Sequence, residues 1–175
     1  VSQEPQTFKE RFHVQRFDNA AYFAGPMFQA IFHQPFPDPP PNASPSWAQY
    51  VAFFRWDEDQ IEPVGFCNFL PYENLWLEGG LCVRRNFYAR LPPGLSEECR
   101  ATGGVAQMIM EAAAKELDDC AAWFAYCGDV QSLKVCMRCG YEATQRKYVI
   151  VKWFREHSPE DKNALIERVA ALGPF

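Results

Sequence analysis

Between Gly104 and Tyr141 the chain sets, in order, a glycine turn, an amphipathic helix, an apolar strand, a second short helix and a glycine–aromatic stop. The turn is Thr102-Gly103-Gly104-Val105-Ala106. After it Val105, Met108, Ile109, Ala112, Ala113 and Leu117 recur at helical spacing on one face. Glycines at a helix start leave backbone N–H groups uncovered at the positive end of the helix dipole, an arrangement that suits a phosphate. Residues 121–126 are an unbroken apolar run, as expected of a strand covered on both faces. Residues 129–139 have the pattern of a short helix, which Gly140-Tyr141 closes. In an open α/β sheet of this kind, ligands bind where neighbouring strands part, beside a helix N-terminus.

Upstream, residues 7–14 read as a first strand, and Asp18 as the N-cap of a helix to about His33, interrupted near Gly25-Pro26. Residues 35–45 are too rich in proline for a helix or sheet interior and read as a stiff loop. Residues 47–56 and 61–71 read as a hairpin about Asp57-Glu58-Asp59-Gln60. Residues 75–84 form a third strand in which Gly79-Gly80 invites a bulge. Residues 85–100, with Pro92-Pro93-Gly94 inside them, read as a long loop, and residues 148–154 as a last, antiparallel strand. Ser158, Pro159 and Asp161 supply a cap, a first-turn proline and an acid. With Gly173 as a stop and Leu165, Ile166, Val169 and Leu172 as an apolar stripe, they specify a C-terminal helix. The expected organisation is a single domain over residues 1–157 and a helical extension over 158–175, packed on the domain or on a second copy of it.

The segment over residues 101–141 resembles the acetyl-CoA-binding half of the GNAT superfamily of N-acetyltransferases. In that family the loop pattern is Gln/Arg-x-x-Gly-x-Gly/Ala. Gly104-Val105-Ala106 matches its second half, while its first position falls on Ala101, with Arg100 one residue early. The family's later pattern, Asn-x-x-Ala-x-x-Leu-Tyr-x-x-x-Gly-Phe, aligns without gaps. Asp129 takes the Asn place, Ser132 the Ala place, Val135-Cys136 the Leu-Tyr pair and Gly140-Tyr141 the end. The order of elements over residues 6–154 matches the family layout too. The resemblance implies an α/β fold with a mixed, twisted, mostly antiparallel sheet. That sheet splays where a parallel strand pair parts and carries helices on both faces, with the C-terminal helix as an addition.

The resemblance also implies acetyl-CoA as cosubstrate and no metal. The expected seat of the pyrophosphate is the run Arg100, Ala101, Thr102, Gly103, Gly104, Val105 and Ala106, with Asp129 and Ser132 at the start of the second helix. The backbone of Leu81, Cys82 and Val83 is the expected partner of the pantetheine arm. Amine acetylation requires the amine to lose a proton. Glu78, on the same strand ahead of the glycine break, is the expected general base, and a solvated strand-face glutamate is the bland alternative; Glu73 is a second choice. Cys136 stands where the family often places a tyrosine general acid. A thiol, with an ordinary pKa of about 8.5, can donate a proton, but a buried cysteine also packs as a small hydrophobe. The acceptor pocket is expected from Phe32, His33 and Phe36 with the proline loop, and from Tyr72 and Trp76.

Composition sets the outer limits. The chain has 175 residues, 48% hydrophobic and 15% aromatic, enough for one globular core and too apolar for disorder. A net charge of −5 argues against nucleic acid or an anionic membrane as the main partner. Seven cysteines without a small-scaffold spacing read as free thiols in a reducing cytoplasm. Cys136-Met137-Arg138-Cys139 has no second ligand pair, so zinc is not expected. Residues 1–5 lack signal-peptide character, and no apolar run approaches a membrane span. The expected function is acetyl transfer from acetyl-CoA to a primary amine of a small molecule or peptide, by direct attack in a ternary complex, in a monomer or a homodimer. A GNAT-fold protein that binds acyl-CoA or a partner without catalysis is the alternative, motivated by the missing loop arginine and tyrosine. An unrelated α+β interaction domain is a third reading.

Overall fold

The structure, a computed structural model, describes residues 6–18 and 48–175. The expected helix to His33 and the proline-rich loop lie outside the described residues. The first described element is a helix where a strand was expected. Thr7 Oγ1 accepts from the Glu10 amide, and the Glu10 carboxylate accepts from the Thr7 amide. This capping box winds Phe8–Arg11 into one helical turn before β1, Phe12–Asp18, begins.

β2 (Ala48–Arg55) and β3 (Ile61–Tyr72) form the expected hairpin, and β4 (Leu75–Val83) pairs antiparallel with β3. The register slips once between them. Asn68 faces Gly80 and Phe69 faces Glu78, which makes Gly79 the extra residue of a bulge. β5 (Ala122–Tyr126) runs parallel to β4, β7 (Val149–Trp153) antiparallel to β5, and β6 (Glu142–Ala143) pairs with β7 at the edge. Among the described residues the sheet order is β1-β2-β3-β4-β5-β7-β6, with β4–β5 the one parallel pair.

Residues 85–100 are not the loop that Pro92-Pro93-Gly94 implied. They hold two helices, Phe87–Arg90 and Pro93–Ala101. Pro93 takes the first helical position, where its missing N–H costs nothing. Phe87 is buried against Phe54 and Trp56, with ring centroids 5.3 and 5.8 Å away. The Phe8 amide donates to Glu98 Oε2 at 2.6 Å, which docks the N-terminal helix on the second of the two.

Apolar side chains divide between the two faces of the sheet. On one face the Val105–Ala114 and Val130–Arg138 helices cover a core that includes Tyr50, Phe69, Met110 and Trp123. The first of these helices rests close on β3. A Cβ at Gly65 would lie 2.9 Å from the Cys82 carbonyl and 3.0 Å from Ile109, so a larger residue there would push the helix off. On the other face the Pro159–Ala170 helix, capped by Ser158, buries Ile166 and Val169 among Leu75, Leu77, Phe124 and Val151. The C-terminal helix therefore packs on the domain itself. No helix among the described residues is long and apolar enough to cross a membrane.

Candidate active site

The pairing of β4 with β5 covers Leu75 to Glu78 against Ala122 to Ala125 and ends there. Beyond Glu78, β4 keeps only β3 as a strand neighbour among the described residues, with Leu81 opposite Cys67, Cys82 opposite Phe66 and Val83 opposite Gly65. The sheet thus opens at Glu78. The far side of Leu81, Cys82 and Val83 offers backbone groups with no strand partner among the described residues, available to a ligand.

The Thr102–Ala106 turn forms the second wall. Gly103 and Gly104 have φ of +84° and +89°, backbone that only glycine adopts readily. Gly104 is the N-cap of the Val105–Ala114 helix and supplies no side-chain cap. The first amides of a helix have no intrahelical acceptor. Val105 donates its amide to Tyr88 Oη at 3.2 Å, which leaves those of Ala106 and Gln107 for a ligand. A groove of about 1190 Å³ runs along this turn, and Lys9, Arg100, Lys115 and Arg138 line it, with Glu111 as the counter-charge. Arg138 reaches across from the second helix. Its Nε donates to Gln107 Oε1 at 3.1 Å and its Nη2 to the Gly103 carbonyl at 3.4 Å. The loop position at Ala101 has no side-chain charge, but Arg138 brings one to the same turn from elsewhere in the sequence.

Glu78 is buried, with 6% of its surface exposed, which overturns the reading of a solvated strand-face glutamate. It lies on the face covered by the two helices, outside the lining of the basic groove. Tyr141 Oη donates to Glu78 Oε2 at 3.0 Å, and Cys136 Sγ donates to the same oxygen at 3.9 Å. Burial pushes the Glu78 carboxyl up to about 7, against the opposing pull of hydrogen bonds from Tyr141, Cys136 and Cys67. Its protonation state therefore changes near neutral pH, as a general base requires. Cys136 is fully buried. Burial first, and then the Glu78 carboxylate, hold its thiol far above the ordinary range, so it stays protonated. Tyr141 is pushed well up by the same two causes.

The other expected site residues take different places. Asp129 caps the Val130–Arg138 helix, accepting the Ser132 amide at 2.7 Å, and that bond lowers its pKa. Asp129 and Ser132 are thus engaged with each other at the helix start. Glu73 is exposed, with φ of +52°, and forms a salt bridge with Arg168 at 3.0 Å at the far end of β4. Tyr72 and Trp76 do not share a wall. Tyr72 packs against the cluster beneath the C-terminal helix and Trp76 against the core on the opposite face. Tyr72 sits at the closed end of the β4–β5 pair, whereas Trp76 precedes Glu78 by two residues on β4 and shares its face of the sheet. Phe32, His33 and Phe36 lie outside the described residues. Among the described residues no group of three or more His, Cys, Asp and Glu is placed to hold a metal ion.

Sequence reasoning missed Tyr88, Arg138 and Tyr141 as members of the site. In the sequence Tyr141 is only the aromatic end of a motif, and no local signal assigns its hydroxyl to a glutamate 63 residues away.

A mostly antiparallel sheet that opens at a parallel pair, with a glycine-started helix beside the opening, is the fold of the GNAT N-acetyltransferases. Two solved structures from Escherichia coli share it. One is the ribosomal-protein-S18-alanine N-acetyltransferase, with a TM-score of 0.55 at 10% identity, covering 85% of this chain and 97% of that one. The other is the putative N-acetyl transferase YhhK bound to coenzyme A, with a TM-score of 0.51 at 14% identity, covering 82% of this chain and 98% of that one. No family model matches the sequence, and no curated protein matches it.

Proposed function

We propose that this chain is an acetyl-CoA-dependent N-acetyltransferase that acetylates a primary amine by direct attack in a ternary complex. The observation that carries the reading is a buried carboxylate, Glu78, at the point where β4 and β5 part and β4 frees its backbone edge. The fold shared with an N-acetyltransferase and with a coenzyme A-bound protein supports the same assignment.

The residues present fit the cosubstrate. The Ala106 and Gln107 amides, with Arg100 and Arg138, offer a diphosphate the positive end of a helix and two guanidinium groups. The β4 edge at Leu81, Cys82 and Val83 offers the amide groups of a pantetheine arm a strand to pair with. Acetyl-CoA supplies an acyl group activated as a thioester. Glu78 takes the proton that the amine must lose, through a water, because so little of the carboxylate is exposed. Cys136 packs and stays protonated, so it serves neither as nucleophile nor as thiolate.

Thiol release from acetyl-CoA against a panel of primary amines, run beside a thermal shift with coenzyme A, tests this reading. Binding with turnover of at least one amine is the expected result. Binding without turnover of any amine would favour the non-catalytic alternative, and absence of binding would remove the assignment altogether.

A further inference from the structure

We propose that Tyr141 is a positioning residue of this site. Its phenol hydroxyl, donated to Glu78 Oε2, orients the carboxylate and favours the ionised form that accepts the substrate proton. The inference rests on the reading of Glu78 as the general base.

Backbone geometry aims the residue. Gly140, with φ of +90°, ends the Val130–Arg138 helix by donating its amide to the Met137 carbonyl at 3.2 Å, and the Tyr141 amide donates to the Cys136 carbonyl at 3.1 Å. This left-handed stop turns the next side chain back under the helix. The Tyr141 ring lies 6.5 Å from that of Trp123, and its hydroxyl reaches Glu78 at 3.0 Å. The arrangement has few competitors. Among the described residues the titratable groups near Glu78 are Cys67 on β3, Cys127 after β5, Cys136 on the helix, Cys139 at its C-cap, and Tyr141. None of them is cationic. A thiol is a weak donor, and the Cys136 sulfur stands at 3.9 Å, so the phenol is the strong hydrogen bond holding the buried charge. A hydrogen bond to the charged form of an acid lowers its pKa, and at a buried site one such bond is worth about one pH unit or more.

The test is a ¹³C titration of the Glu78 carboxyl, identified by its loss in Glu78→Gln, in the wild-type protein and in Tyr141→Phe. The expected result is a titration that moves up by about one unit. Turnover at pH 7 should then fall about fivefold and recover above pH 8, with the acetyl-CoA KM unchanged. Tyr141→Phe keeps the buried ring, and 3-fluorotyrosine at 141, a more acidic donor of the same shape, should move the titration the other way. A Glu78 titration that stays put in both variants overturns the proposal, as does a loss of turnover equal at every pH. The titration needs no substrate, so the two readings fail separately. A shifted carboxyl in a protein that acetylates nothing removes the function and keeps the clamp. An unshifted carboxyl in an active enzyme removes the clamp alone.

Discussion

The glycine-turn side of the candidate site is open and basic, and the turn itself is built from neighbours in sequence. The Glu78 side is buried, and the hydrogen bonds from Cys136 and Tyr141 come from 58 and 63 residues away. The difference follows from what each side has to do. A diphosphate is recognised by bare amides and guanidinium groups, which seven contiguous residues and a few reaching side chains can present. A base that works near neutral pH must be removed from water, and a single strand cannot do that alone. β3, β4 and the helix before Tyr141 all contribute to the enclosure. On the proposed function one side tunes affinity and the other tunes protonation, and substitutions should separate the two.

The largest separation is expected at Glu78. Glu78→Gln should lower kcat by roughly 10²- to 10⁴-fold and leave the coenzyme A affinity of the groove side unchanged, as read by steady-state kinetics and calorimetry. Equal losses in both would mean that the two sides are not independent.

The next effect is on stability. The Glu78 carboxyl ionises at about 7 in the folded chain against an ordinary 4.5. Between those values the unfolded chain binds fewer protons than the folded one, so stability is full below about pH 4.5 and falls as pH rises to about 7. At about 1.4 kcal/mol per unit the loss is limited to roughly 3 kcal/mol. Glu78→Gln should abolish that part of the slope in urea titrations across this range. A wild-type slope that survives the substitution would place its origin elsewhere.

On the opposite side, Gly104→Val puts a β-branched residue at φ of +89° and its Cβ 3.2 Å from Tyr88 Oη. Forcing that backbone costs about 1–3 kcal/mol, so coenzyme A should bind roughly 10- to 100-fold more weakly while the residual kcat at saturation persists. Undiminished affinity would detach the glycine turn from the cosubstrate.

The smallest effect belongs to Cys136. Cys136→Ala should cost about 1 kcal/mol and keep turnover within a few-fold. A kcat that collapses with unchanged coenzyme A affinity would make the thiol a proton donor after all.

The same contrast explains what the sequence disclosed. The glycine turn, the apolar β5, the short helix closed by Gly140 and the C-terminal helix were legible because each is encoded by residues within a few positions of one another. Pro92-Pro93-Gly94 misled because a proline at a helix start and a proline in a loop look alike until Phe87 and Glu98 are seen to dock. Thr7 and Glu10 carried a capping box that the β-like residues after them obscured. Glu78 was legible as a position on β4, but its burial was not, since that depends on helices packed from far along the chain. The hydroxyl of Tyr141 was illegible for the same reason: its partner is set by the tertiary fold.

The pH dependence of kcat/KM for amine acetylation, in the wild-type protein and in Glu78→Gln, tests the central claim most directly. The account predicts an acid limb in the wild type near the Glu78 value of about 7, absent from the residual activity of the variant. A profile that is flat between about pH 5 and 8, or an acid limb that persists without the carboxylate, would contradict it.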